Sequence, residues 1–134
     1  MIKPSFICLA GLLFLHTLAS QDAHAQDAIE IDPVQASPEI FSVLLENEHV
    51  RVLRYELAPG EKDQWHTHPP KVSYVVAGGQ LRITTGDGES FVVDEDTDSA
   101  SWMDELGRHY AENISQTPVR ILLVEVKAAN TSAD

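Results

Sequence analysis

The sequence predicts an all-β fold, a sandwich or barrel of about eight short strands. Three observations carry the prediction. Brief stretches rich in β-branched and aromatic residues recur at roughly 8–12-residue spacing. Turn residues punctuate them: Ala58-Pro59-Gly60, Pro69-Pro70, Gly78-Gly79, residues 85–88 and residues 115–118. Outside the apolar run near the N-terminus, no ten-residue stretch shows the 3.6-residue apolar stripe of a helix.

Residues 27–42 carry Pro33 and Pro38 and no clear period, so they read as a lead-in with room for one strand. Strands are then expected over residues 50–57, 64–68, 72–76, 80–84, 90–93, 100–102, 109–113 and 119–126. The acidic run at residues 94–98 reads as a solvated loop. A calcium site is the sharper alternative, but the spacing does not match an EF-hand loop.

The chain has 134 residues, 43% of them hydrophobic and 22% charged, the make-up of a soluble globular protein with one core. With 9 Lys+Arg against 21 Asp+Glu and a net charge of −12, it lacks the basic face that nucleic acid or an anionic membrane needs. One Cys excludes an internal disulfide, a Cys-rich zinc site and a redox pair. Histidine and carboxylate remain as the carriers of chemistry.

The first 25 residues read as a secretory signal peptide. Lys3 supplies the positive n-region, residues 6–15 the apolar run, and Ala23-His24-Ala25 the small-x-small pattern before Gln26. The run is too short to span about 30 Å of hydrocarbon, so no stable membrane anchor is expected. Cys8 lies inside the run and not at the cleavage point, which disfavours a lipoprotein. The expected product is exported, periplasmic in a bacterium and otherwise secreted. Cleavage leaves 109 residues that keep the whole charge of −12, no Cys, and only His49, His66, His68 and His109.

His66 and His68 are one residue apart. In a strand that spacing puts both on one face, about 6.5–7 Å apart along the backbone, from which two imidazoles can converge on one ion. Gln64 shares that face by the same alternation, with Trp65 and Thr67 pointing away. His109, opening a later strand with Ala111 and Asn113, is the third candidate ligand. An isolated H-x-H pair is equally read as two surface histidines. Context favours the ligand reading: Gly60 stands six residues before His66, Pro69 follows His68, and Asn113 follows His109 by four.

With these residues the sequence resembles the cupin family, whose first motif is G-x5-H-x-H-x3–4-E-x6-G and whose second ends in H-x3-N. Residues 60–79 (GEKDQWHTHPPKVSYVVAGG) are similar to the first and residues 109–113 (HYAEN) to the end of the second. The resemblance implies a double-stranded β-helix, the jelly-roll barrel of cupins, over residues 48–127. Residues 26–47 become a lead-in and 128–134 a tail. It also implies a divalent metal ion held by His66, His68 and His109, and, by family habit, a homodimer.

Two departures bear on chemistry. The family's glutamate falls at Val72 or Ser73, neither of which is acidic, and the usual proline-glycine turn before the third histidine is replaced by Asp104-Glu105-Leu106-Gly107. A neutral three-histidine site keeps the full charge of its ion and favours an anionic, bidentate ligand. Related three-histidine iron sites use O2, so the resemblance implies a dioxygenase-like oxidoreductase acting on a small chelating substrate. The alternatives are a cupin that binds a metal or small molecule without turnover, and one acting through its dimer interface. Imidazole affinity tends toward nickel, copper and zinc over iron and manganese, so the ion stays open among Fe, Mn, Ni, Zn and Cu. Ser73, Gln64 and Trp102 are the candidates for supporting the ligands or meeting substrate, against bland readings as core, rim and packing residues. Tyr74 and Tyr110 read as packing residues. Glu61 and Asp63 read as solvated, and Arg54, Arg82 and His49 as surface residues.

Overall fold

The computed structural model describes residues 29–129. The expected signal peptide, residues 1–25, lies outside them, as does most of the expected tail. A short helix, α1 (Pro33–Ala36), precedes nine strands. These are β1 (Phe41–Glu46), β2 (Val50–Leu57), β3 (His66–His68), β4 (Lys71–Ala77), β5 (Gly79–Thr85), β6 (Ser90–Glu95), β7 (Ala100–Met103), β8 (Leu106–Asn113) and β9 (Val119–Val126). Antiparallel pairing makes a five-stranded sheet, β1-β2-β9-β4-β7, and a four-stranded sheet, β3-β8-β5-β6. This is the jelly-roll double-stranded β-helix.

Alternation builds the core. Leu53, Tyr55 and Leu57 of β2, and Val119, Ile121 and Leu123 of β9, turn inward and meet Leu81 of β5 across the sheets. Arg54 and Glu56 alternate outward. Two glycines are required by the backbone. Gly60 turns the chain into the histidine segment with φ of 75°, and a Cβ on Gly78 would collide with the carbonyl of Glu95.

Three details differ from the sequence expectations. First, the lead-in, expected to have room for one strand, supplies that strand and a helical turn besides. β1 pairs along β2, and Ser37, Ile40 and Phe41 are buried. α1 is a single turn, too short to leave a stripe, and is capped by Asp32, whose Oδ1 accepts from the Val34 amide at 2.8 Å. Second, β3 begins at His66 and not at Gln64, because the Gln64 amide donates to the buried Ser37 hydroxyl at 2.9 Å and never joins the ladder. Third, β6 runs through Asp94 and Glu95, so only the rest of the acidic run is a turn, with Asp98 at φ of 62°.

Candidate metal centre

β3 is three residues long, and its alternation does the placing: His66 and His68 are buried, while Thr67 turns to the lead-in and exchanges hydrogen bonds with Ile31. His109 stands directly opposite His66 in the β3–β8 ladder, and a bulge between His66 and His68 adjusts the register. The rings pack with centroids 4.5 Å apart for His66–His109, 4.8 Å for His66–His68 and 5.7 Å for His68–His109. One nitrogen from each lies within 4.8 Å of the others, and this is the only cluster of three or more such ligands among the described residues. Phe41 backs it, 5.1 Å from the His66 ring.

Each ring is held by its Nδ1. His66 Nδ1 meets the Gln64 carbonyl at 2.7 Å, His109 Nδ1 meets the Gly107 carbonyl at 2.7 Å, and His68 Nδ1 meets Glu125 Oε1 at 2.6 Å. A carbonyl only accepts, so Nδ1 carries the proton and Nε2 keeps its lone pair. Burial, with the neighbouring histidine rings, pushes His66 down to about 3; burial likewise takes His109 down to about 4 and lowers His68. Three neutral imidazoles with a common free nitrogen form a donor set that fits a borderline divalent cation.

Glu125 was not foreseen. Burial opposes its charge, yet hydrogen bonds from His68 and Arg51 hold its carboxyl below the usual range. Arg51 Nε donates to Glu125 Oε2 at 2.6 Å and its Nη1 to Asp32 Oδ2 at 2.6 Å, so a chain of charge runs from the half-buried helix cap to a candidate ligand. Asp63, expected to be solvated, is 1% exposed. It accepts from the Ala111 amide at 2.7 Å and the Tyr55 hydroxyl at 3.1 Å, and lies 3.8 Å from His66 Nδ1. Burial raises its carboxyl to about 7 against those two hydrogen bonds.

The histidines line a cavity of about 90 Å3 between the sheets, several times the roughly 10–15 Å3 that one water needs. Leu81, Ile83, Val93 and Leu123 give it apolar walls, and Lys71, Ser73 and Glu95 bring polar groups. Ser73, at the position of the family's glutamate, faces this cavity; Val72 faces out. Gln64 does not join the site: its side chain is exposed, and it supplies only the carbonyl that holds His66. Trp102 also stands apart, on the exposed outer face of β7 with its Nε1 donating to Asp104 at 2.9 Å, because the whole of that four-residue edge strand is exposed. Asn113 is a structural clamp, its amide donating to the carbonyls of Leu57 at 2.9 Å and Thr117 at 2.8 Å. Arg54, Arg82 and His49 are exposed.

Two of the missed groups had a legible signal. Glu125 is in phase with inward Val119, Ile121 and Leu123, and Lys71 with inward Ser73 and Val75. Asp63 sits in irregular backbone and had none.

The family model described as "Cupin domain" matches residues 53–125. The chain is similar to the crystal structure of a cupin domain from Bordetella pertussis, with 28% identity and a TM-score of 0.62 over 66% of this chain and 93% of that one. It is also similar to an uncharacterized conserved protein with a double-stranded β-helix domain from Klebsiella pneumoniae, at 23% identity and a TM-score of 0.54 over 69% and 79%. A third likeness is to an RmlC-like cupin family protein from Methanocaldococcus jannaschii, at 18% identity and a TM-score of 0.54 over 65% and 78%. No curated protein matches the chain.

Proposed function

The chain belongs to the cupin domain family, and on that premise we propose that His66, His68 and His109 hold one divalent metal ion facing a small ligand cavity, in a protein that acts as a dioxygenase-like oxidoreductase on a small chelating substrate. One observation carries the reading: all three histidines are buried, neutral and tied through Nδ1, which leaves each Nε2 for a ligand bond. When bound, a redox-active ion there supplies Lewis-acid polarisation and access to O2 chemistry.

The chain's own residues do the rest. Carbonyls of Gln64 and Gly107 and the Glu125 carboxylate fix the three ring orientations, and Glu125 adds negative charge behind His68. Phe41 packs against the His66 and His68 rings, with centroids 5.1 Å and 5.8 Å away. Ser73 stands where the family places a carboxylate, and this favours a second reading, a cupin that binds its metal or small molecule without turnover.

Export through residues 1–25 and a homodimeric state belong to the same proposal. Lys3, the apolar run and Ala23-His24-Ala25 support the first. A row of outward apolar residues, Val72, Tyr74, Val76 and Trp102, supports the second.

Metal analysis of protein purified without a tag tests the centre. About one ion per chain is expected, with uptake lost in His66→Ala and in His109→Ala. Wild-type uptake that survives both substitutions would overturn the assignment. Turnover of O2 with a substrate panel separates the enzyme from the binder.

A further inference from the structure

The cavity holds a cation that the three histidines do not explain. Lys71 is the first inward residue of β4, followed on the same face by Ser73 and Val75. It is 4% exposed and lines the cavity, and the one hydrogen bond of its ammonium among the described residues goes to the thioether of Met103 at 3.2 Å, a weak acceptor. A buried ammonium is ordinarily paired with a carboxylate, since an unpaired one is strongly disfavoured. Its neighbour across the β4–β9 ladder is Glu125. Both oxygens of that carboxylate are already used, Oε1 by His68 and Oε2 by Arg51. Glu95 lines the same cavity, and both carboxylates attract the ammonium from a distance, but neither accepts a hydrogen bond from it or lies within ion-pair reach. The ammonium therefore faces the cavity with two of its donors unspent.

We propose that Lys71, with the Ser73 hydroxyl beside it, is the anion-recognising end of the cavity, and that the ligand is a small organic acid with a carboxylate on Lys71 and a short apolar body against Leu81, Ile83 and Val93. The inference rests on the reading of this cavity as the ligand site and adds its substrate class. A cavity of about 90 Å3 suits a small acid, and Leu81, Ile83 and Val93 offer its body an apolar wall. Ser73 presents a hydroxyl where an acidic residue would repel such a ligand, so the family's missing glutamate and the unpaired lysine are two halves of one arrangement.

Isobutyrate and isobutyramide are a matched pair for the test, alike in shape and different in charge. Calorimetric titration of each is made into zinc-loaded and chelator-treated protein, wild type and Lys71→Met, with zinc stoichiometry and Tm measured in parallel. The wild type is expected to prefer isobutyrate roughly ten- to hundredfold in both metal states, the range of a hydrogen bond to a charged group. Lys71→Met is expected to lose the preference while keeping its zinc and a Tm close to wild type, because the burial cost of the ammonium is removed along with its attraction to Glu125 and Glu95. Lys71→Arg retains a preference for the acid, and this variant decides the matter if Lys71→Met does not fold. No preference in the wild type, a preference only with zinc bound, or a preference undiminished in Lys71→Met would each overturn the assignment. Failure of zinc to bind, with the preference intact in metal-free protein, would remove the metal reading and leave the role of Lys71 standing.

Discussion

His68 and Glu125 are 57 residues apart and lie on different sheets, yet His68 Nδ1 and Glu125 Oε1 are 2.6 Å from each other. The contact joins the two layers at the candidate centre. It sets the tautomer of one ligand and makes that ring a better donor. Glu125→Gln keeps the shape and removes the charge. It is expected to weaken zinc binding roughly ten- to hundredfold, the usual effect of removing such a support. Competition against a chromophoric chelator measures this, and an unchanged affinity would mean that the contact serves packing alone.

Acid should unfold the metal-free protein early. His66 and His109 are held down to about 3 and about 4 in the fold, and His68 is lowered as well, against about 6.5 in the unfolded chain. Between those values the unfolded state binds more protons, so the stabilising contribution is complete above about pH 6.5 and is lost as pH falls toward 4. Each histidine contributes at most about 1.4 kcal/mol per pH unit in that window. Asp63, raised to about 7, works the other way, its contribution being lost as pH rises toward 7. Burial raises Glu95 as well, so three histidines act against two carboxyls, and a net fall in Tm is expected on acidification from pH 6.5 to 4.5. Calorimetry on chelator-treated protein measures it, and a flat or rising Tm would contradict the buried neutral histidines.

Asn113→Ala should damage the fold and spare the donor set. The substitution strands the carbonyls of Leu57 and Thr117 and the amide of Ser115, which Asn113 satisfies. A loss on the order of 3 kcal/mol is expected in denaturant unfolding. Zinc stoichiometry in the folded fraction should not change; a variant of normal stability that fails to take up zinc would give Asn113 a part in binding instead.

The outer face of β4 and β7 bears on assembly. Val72 and Trp102 are partners across that ladder and both are exposed, with Tyr74 and Val76 alongside. Light scattering on protein beginning at Gln26 should give twice the chain mass, and Trp102→Glu should shift it to the monomer. A wild type that stays monomeric at high micromolar concentration would remove the homodimer.

Much of the fold is legible because alternation survives wherever a strand is long and half-buried. β2 and β9 run over the expected residues for that reason. The two histidines of β3 and the one that opens the inward run of β8 are legible from spacing and from resemblance to the family. Reading fails where a strand ends. Extending the alternation of His66 and His68 back to Gln64 assumes a ladder that the buried Ser37 hydroxyl interrupts, an interaction 27 residues distant. Starting β4 after Pro69-Pro70 at Val72 hides Lys71 by a single residue. Asp63 is also read too readily as solvated: it is buried, and the Ala111 amide and Tyr55 hydroxyl that hold it are not visible in the local sequence.

The chain of contacts from Asp32 through Arg51 and Glu125 to His68 has one more consequence. Docking of the capped turn and occupancy of the centre act on the same ring, so each must change the equilibrium of the other by an equal factor. Metal uptake should then slow amide exchange at residues 34–37, far along the chain from any ligand, and Asp32→Asn should raise the rate at which the ion escapes. The N-terminal turn becomes a latch whose closure reports the state of the centre.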